Sequence, residues 1–402
     1  MKLYEKYEEY EDFIVCRYKV ETNMPIMEAA EAIAKEQSTG TWTEVEERDA
    51  YSAVVLEASG NAVLIGFPPE DVSIEIGGIP QLLALVAGNL FGLGALSNVR
   101  LEGLYLPKSV VSAFPGPKFG IGGVRAILNI KEERPFVGTI VKPKIGLDPK
   151  ETAQYVYEVG LGGLTHSKDD ETLVNQSFCP LEERTAAVAE ALDRVREETG
   201  RKMLHAINIT TRADHILDIA DLAVENGASL LMVDVFTAGF GAVQALAEDE
   251  SINLPIHVHR TMHGAITRNP RHGISMAVFA LLVRLAGGDA LHIGTFGVGK
   301  MHGKFEEDKA SQIALTSRLA HHKPVIPVCS GGLHPLLVRP LVEIAGRNIQ
   351  IQAGGGIAGH PDGPRAGARA MVLAAEAATS QIPIEEYAQA HPELMHAIEK
   401  WG

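Results

Sequence analysis

The chain of 402 residues exceeds one average domain and falls short of three. With 46% hydrophobic and 22% charged residues it has the balance of a globular protein, which excludes a disordered chain or a coiled coil. Lys and Arg number 36 against 51 Asp and Glu, a net charge of −15. A binder of nucleic acid or of anionic membrane is therefore a poor fit, and any phosphate must be held by a few placed cations.

The chain opens on MKLYEKYEEYEDF, charged and mostly acidic, unlike a signal peptide. Cys16, Cys179 and Cys329 are scattered and form neither a disulfide framework nor a CxxC pair, so a reducing, cytoplasmic location is expected. Strand patterns at 12–20 and 53–56 and a helical one at 25–36 give the order strand, helix, strand, strand, helix. That order predicts a small α+β domain with an antiparallel sheet, ferredoxin-like, over 1–132. Residues 76–99 carry no charge and are numerous enough to span a bilayer. They include Pro80, Gln81, Asn89, Ser97 and five glycines without flanking basic clusters, so a buried helix of a soluble domain is the expectation.

The polar stretch KEERP (131–135) marks the change to a second domain, 133–402. Apolar runs then recur, each followed by a polar or glycine-rich turn and a helical segment. They are FVGTIVKPK (136–144), GGLTHSKDDE (162–171), KMLHAINIT (202–210), SLLMVDVF (229–236), LPIHVHR (254–260), DALHIGT (289–295), KPVIPVCSGG (323–332) and NIQIQAGGG (348–356). Helical patterns fill the gaps, as at 180–199 and 211–226. Eight strand–helix units predict a (β/α)8 TIM barrel; a doubly wound open sheet is the alternative, since sequence does not show closure.

In a TIM barrel the active site lies at the carboxyl ends of the strands. Those ends carry Lys142 and Lys144, then Lys168, Asp169, Asp170 and Glu171, then Asn208, Asp234, His259 with Arg260, and His292. The last two strands end in Ser330-Gly331-Gly332 and Gly354-Gly355-Gly356, where barrels hold phosphate on exposed backbone N–H groups. An isolated KDDE reads as a solvated helix start. On this rim its carboxylates suit Mg²⁺, and the adjacent lysine becomes an oxygen donor if CO2 carbamylates it. A histidine at a strand end is commonly a packing residue; Arg260 offers a bidentate phosphate fork, with His292 a second donor. GTFGVGK (294–300) lacks P-loop spacing and reads as a mobile lid bringing Lys300 over the substrate. STGTWT (38–43) and AGNLFG (87–92) read, on their own, as a surface turn and a helix end.

These pieces in this order resemble the large chain of ribulose-1,5-bisphosphate carboxylase/oxygenase (RuBisCO), from about residue 14 to 401. GTIVKPKIG, HGISM, LHIGTFGVGKM, SGGLHP and GHPDGPRAGARA are most like the archaeal form III type, which has no small subunit. The resemblance implies Mg²⁺ held by carbamylated Lys168, Asp170 and Glu171, with CO2 as the activator. It implies Lys142 as acid/base tuned by Lys144, His259 as proton carrier in hydration, and Lys300 closing over the incoming carboxylate. Arg260, His292 and Ser330 would hold one phosphate, and Gly332, Gly354 and Gly355, with Thr41 and Trp42, the other. Glu36 and Asn89 would complete a neighbouring subunit's site in a homodimer. The implied reaction is carboxylation of ribulose 1,5-bisphosphate to two 3-phosphoglycerates with side oxygenation. The alternative is a RuBisCO-like enolase or isomerase acting on another phosphorylated ketose. Thr172 stands where the family usually has Asn, Thr165 replaces an acidic residue, and Thr261 stands where Ala is usual.

Overall fold

The computed structural model describes residues 5–40, 49–300 and 304–402. Two sheets organise it. The first carries strands β1 (Ile14–Glu21), β2 (Val54–Ser59), β3 (Ala62–Phe67) and β4 (Asn98–Tyr105), paired antiparallel in the order β4-β1-β3-β2. The helix Ile26–Glu36 buries Ala29, Ala30, Ile33 and Ala34, a stripe at helical spacing.

The second sheet closes on itself. Its strands are β5 (Phe136–Ile140), β6 (His166–Lys168), β7 (Leu204–Asn208), β8 (Leu230–Asp234), β9 (Ile256–His259), β11 (Ala290–His292), β12 (Ile326–Ser330) and β13 (Gln350–Gln352). Each falls inside one of the eight apolar runs, and the order around the ring is β5-β6-β7-β8-β9-β11-β12-β13. All eight pairings are parallel, so the open-sheet alternative is excluded.

Alternation along these strands decides what faces the axis. Phe136, Leu204, Ala206, Leu230, Met232, Ala290, Ile326 and Val328 share one apolar cluster with Ile121, Val124 and Leu128, so the helix Gly120–Ile127 plugs the amino-terminal mouth. The intervening Val137, Ile207, Leu231, Val233, Val258, Leu291, Cys329 and Ile351 pack outward against the helices. Two residues on from the plug-facing set come Asn208, Asp234, His292 and Ser330, in phase with Lys168 and His259. A period of two thus brings polar side chains from six strands to one rim.

The sequence expectations need two corrections. The charge-free stretch is not one buried helix: a helix runs Ile74–Ala87, kinked at Gly78, and Val99 already belongs to β4. It buries Ile79, Leu82 and Val86, but Ile76 is 91% exposed. The four strands of the amino-terminal domain are antiparallel as expected, and β10 (Gly273–Ile274), from the loop after β9, adds a parallel fifth strand beside β4. Strand β4 itself was not foreseen in the sequence pattern.

Candidate active site

The run after β6 divides its carboxylates. Asp169 is fully buried, with Oδ2 accepting from Arg184 Nε at 3.1 Å and from the Asn208 N–H at 3.0 Å, and Oδ1 3.1 Å from His205 Nε2. Burial alone would raise its pKa, but Arg184 and His205 bring it down to about 2. Asp170 turns to the rim: Thr172 donates to Oδ1 from Oγ1 at 2.9 Å, and Lys142 Nζ lies 3.3 Å from Oδ2. Asn208 holds this turn by donating to the backbone oxygens of Asp170 and Glu171. Thr172 therefore orients a rim carboxylate. Thr165 instead joins strands, its hydroxyl donating to Val137 O and accepting from Val137 N.

Lys168 is 1% exposed. Its Nζ donates to Asp169 O at 2.8 Å and stands 3.5 Å from Glu171 Oε2. Burial pulls its pKa down, against the pull of Glu171, Asp170, Asp234 and Asp169. This amine is easier to deprotonate than an ordinary lysine.

His259 stands between two carboxylates, its Nε2 3.8 Å from Glu171 Oε2 and its Nδ1 2.9 Å from Asp234 Oδ1. The Thr261 N–H donates to that same Nδ1 at 3.1 Å, which leaves the proton of a neutral ring on Nε2 and Asp234 Oδ1 buried without a hydrogen bond.

On the far side, His292 Nδ1 is 2.8 Å from Ser330 Oγ. The Arg260 guanidinium makes no hydrogen bond or ion pair among the described residues, and burial lowers it to about 10, so it stays charged and free to meet an anion. The lid base is fixed by Asp308, which accepts from the Phe296 N–H at 2.8 Å. Lys300 lies over the loop after β12: its N–H donates to Gly331 O at 3.1 Å, and a Cβ on Gly332 would come within 2.4 Å of Lys300 Cγ. Gly332 also has φ +76°, so glycine answers both demands there. A Cβ on Gly354 would lie 3.1 Å from Lys142 Cε, while Gly355 is open. Lys142, Lys168, Asp170, Glu171, His259, Arg260, His292, Lys300, Ser330, Gly332, Gly354 and Gly355 thus share the carboxyl-end rim. Lys144 is exposed beside it. Glu36 and Asn89 sit on the amino-terminal domain, their side chains without hydrogen bonds or ion pairs among the described residues, and Thr41 and Trp42 lie outside the described residues.

Among the described residues no three His, Cys, Asp or Glu side chains are grouped to hold a metal. Asp170 and Glu171 are two oxygen donors, each with a lysine amine beside it. That set fits Mg²⁺ once Lys168 becomes an anionic oxygen donor, since Mg²⁺ takes few protein ligands.

Two family models match the chain: the ribulose bisphosphate carboxylase large-chain N-terminal domain over residues 3–110 and its catalytic domain over 120–401. The chain belongs to the RuBisCO large-chain family. It is 40% identical to the ribulose bisphosphate carboxylase of Archaeoglobus fulgidus, over 98% of this chain and 96% of the relative. Octameric Rubisco from Pyrococcus horikoshii OT3 superimposes with a TM-score of 0.92 at 39% identity, covering 98% of this chain and 95% of that one. The dimeric archaeal Rubisco from Hyperthermus butylicus gives 0.90 at 37%, covering 99% and 98%. A rubisco-like protein from Burkholderia fungorum also matches, at 0.87 and 32%, covering 96% and 99%. Sequence reasoning placed Asp234 on the rim without seeing that it faces His259, and it missed two residues outright: Arg184, which pairs with Asp169, and His257 against His292. Strand parity was the available signal for His257, two positions before His259.

Proposed function

We propose that this chain carboxylates D-ribulose 1,5-bisphosphate with CO2 to give two 3-phosphoglycerates, with oxygenation as a side reaction. The observation that carries the reading is the buried Lys168 amine, eased toward its neutral form beside two carboxylates that lack a third partner. A neutral amine has the lone pair that attacks the carbon of CO2; losing an N–H proton then leaves a carbamate. Lys168 as carbamate, Asp170 and Glu171 would hold Mg²⁺, which when bound polarises the substrate's carbonyl and hydroxyl oxygens.

The chain's own groups then divide the work. The Lys168 carbamate takes the proton from carbon-3 of the sugar. Lys142, with Lys144 beside it, exchanges protons at the reacting carbons. His259 takes a proton from the water that hydrates the new ketone, with Asp234 facing the ring. Lys300 neutralises the incoming carboxylate as the lid closes. Arg260, His292 and Ser330 receive one phosphate; Gly332, Gly354 and Gly355, with Thr41 and Trp42, receive the other. Glu36 and Asn89 would serve a neighbouring subunit, making the working unit a form III homodimer, or an assembly of dimers, in the cytoplasm and without small subunits. The octameric and dimeric archaeal structures support such assemblies.

The likeness to a rubisco-like protein favours a second reading, an enolase or isomerase that fixes no CO2. Incorporation of labelled bicarbonate into acid-stable product, with Mg²⁺ and ribulose 1,5-bisphosphate under anaerobic conditions, separates the two. Label in 3-phosphoglycerate is expected, and Lys300→Ala should lower that turnover at least ~100-fold, some 2.7 kcal/mol, while proton exchange at carbon-3 persists. Exchange without label in the unaltered protein would hand the site to the second reading.

A further inference from the structure

The glycines that would hold the second phosphate lie on two separate loops, and both loops rest on one helix. Gly332 follows β12, whereas Gly354 and Gly355 follow β13 and open the short helix Gly355–Ala358. The two backbones touch: a Cβ on Gly356 would lie 2.1 Å from Leu333 O and 2.9 Å from His334 Cα. That close approach demands glycine, and glycine has the most conformational freedom to lose on ordering. A one-turn helix does not order itself in water. Its position comes from what packs against it.

The helix Pro392–Trp401 packs against it, anchored in the core by Leu394 and Ala397. Lys400 Nζ donates to Gly359 O at 2.5 Å, and the Gly359 N–H donates to Gly355 O at 2.9 Å, so the lysine holds the end of the short helix. Next to it the Asp362 N–H donates to His360 Nδ1 at 3.1 Å. The ring's proton is therefore on Nε2, which donates to Glu393 O at 2.8 Å. Asp362 Oδ2 also meets His396 Nδ1 at 2.5 Å. On the other loop the Trp401 ring lies nearly parallel to His334, centroids 5.7 Å apart at 16°, and it reaches His360 at 6.3 Å. Adjacent residues at one helix end thus grip both loops, Trp401 the loop after β12 and Lys400 the segment after β13.

We propose that the helix Pro392–Trp401 braces one phosphate cradle, with Trp401 and Lys400 as its positioning residues. From behind, and without touching the substrate, they set the spacing between Gly332 and the Gly354-Gly355 pair. The His396–Asp362 pair, with each side chain nearly half exposed, adds little to the grip. The inference rests on the proposed function in taking these glycines as phosphate contacts.

A phosphate held equally in the ground and transition states moves KM and leaves kcat alone. In bicarbonate- and Mg²⁺-activated enzyme, Trp401→Leu and Lys400→Met should each raise KM for ribulose 1,5-bisphosphate about five- to tenfold, with kcat within about twofold. Trp401→Phe keeps a ring on His334 and Lys400→Arg keeps a donor to Gly359 O, so both should stay near the unaltered value. A helix that served stability alone would lower the folded fraction, and with it kcat, at constant KM. Calorimetric binding of ribulose 1,5-bisphosphate without bicarbonate or Mg²⁺ should weaken by the same factor, because the brace acts on the phosphate and not on the metal site. Unchanged KM and affinity in the Leu and Met variants, a loss in kcat alone, or equal effects from the Phe and Arg replacements would overturn the brace. Lys400 is exposed, so Lys400→Met decides the matter even if Trp401→Leu does not fold. Failure of the carboxylase reading looks different: the unaltered protein would then fix no label, and the calorimetric comparison would still decide the brace.

Discussion

Asp169 and Asp170 are neighbours in sequence with opposite fates. Asp169 is buried against Arg184, His205 and the Asn208 N–H, whereas Asp170 is turned out by Thr172 toward Lys142. Removing one partner of a buried pair strands the other charge, so Arg184→Met should destabilise the protein by about 3 to 5 kcal/mol in denaturant titration. The pH dependence has a defined sign. Asp169 titrates near 2 when folded, below its ordinary 3.8, so the unfolded chain binds the extra proton first. Its contribution, about 2 kcal/mol, is whole above pH ~4 and is lost as pH falls toward 2; Arg184→Met should flatten that acid limb. An unaltered limb in the variant would show that the pair does not hold the carboxylate down. The string KDDE could not distinguish these two acids, because the deciding partners lie 15 and 36 positions away.

At the scale of elements, the eight barrel strands were legible because buried parallel strands leave continuous apolar runs. The rim residues were legible because chemistry collects where those runs stop. Closure was not, since it is a property of register between the first and last strands. Nor was β10, two residues long and formed only because β4 offers an edge. The helix Ile74–Ala87 looked buried by composition, yet its kink at Gly78 leaves Ile76 outside. Equally hidden was how the barrel floor is fastened. Asp289, at the turn before β11, accepts from the N–H groups of Phe119 at 2.8 Å, Gly120 at 2.6 Å and Ile256 at 2.9 Å, tying the plug helix to β9. Asp289→Ala would leave three donors without an acceptor and should cost at least about 3 kcal/mol of unfolding free energy. The same substitution should leave KM almost unchanged in the folded fraction, because the floor is at the other end of the barrel from the rim. A fall in turnover without loss of stability would contradict that separation.

For the whole molecule, the proposed site draws on two chains. Glu36 and Asn89 stand on the amino-terminal domain, their side chains without partners among the described residues, and the apolar Ile76 and Met27 of the same domain are exposed. A second copy that covers these apolar side chains and receives Asn89 at its rim would account for both features, and the dimeric and octameric archaeal relatives support such an arrangement. Mixing tests it directly. Lys168→Ala removes the barrel half of a shared site, and Asn89→Ala the half given by the other subunit, so each homodimer should be inactive. After dissociation and reassembly at equal amounts, half the dimers are mixed, and each mixed dimer has one site with both halves intact and one with neither. About a quarter of the unaltered activity should return. Two inactive variants that stay inactive after exchange, although mixed dimers are detected by mass, would place Asn89 in the same chain's site or outside catalysis.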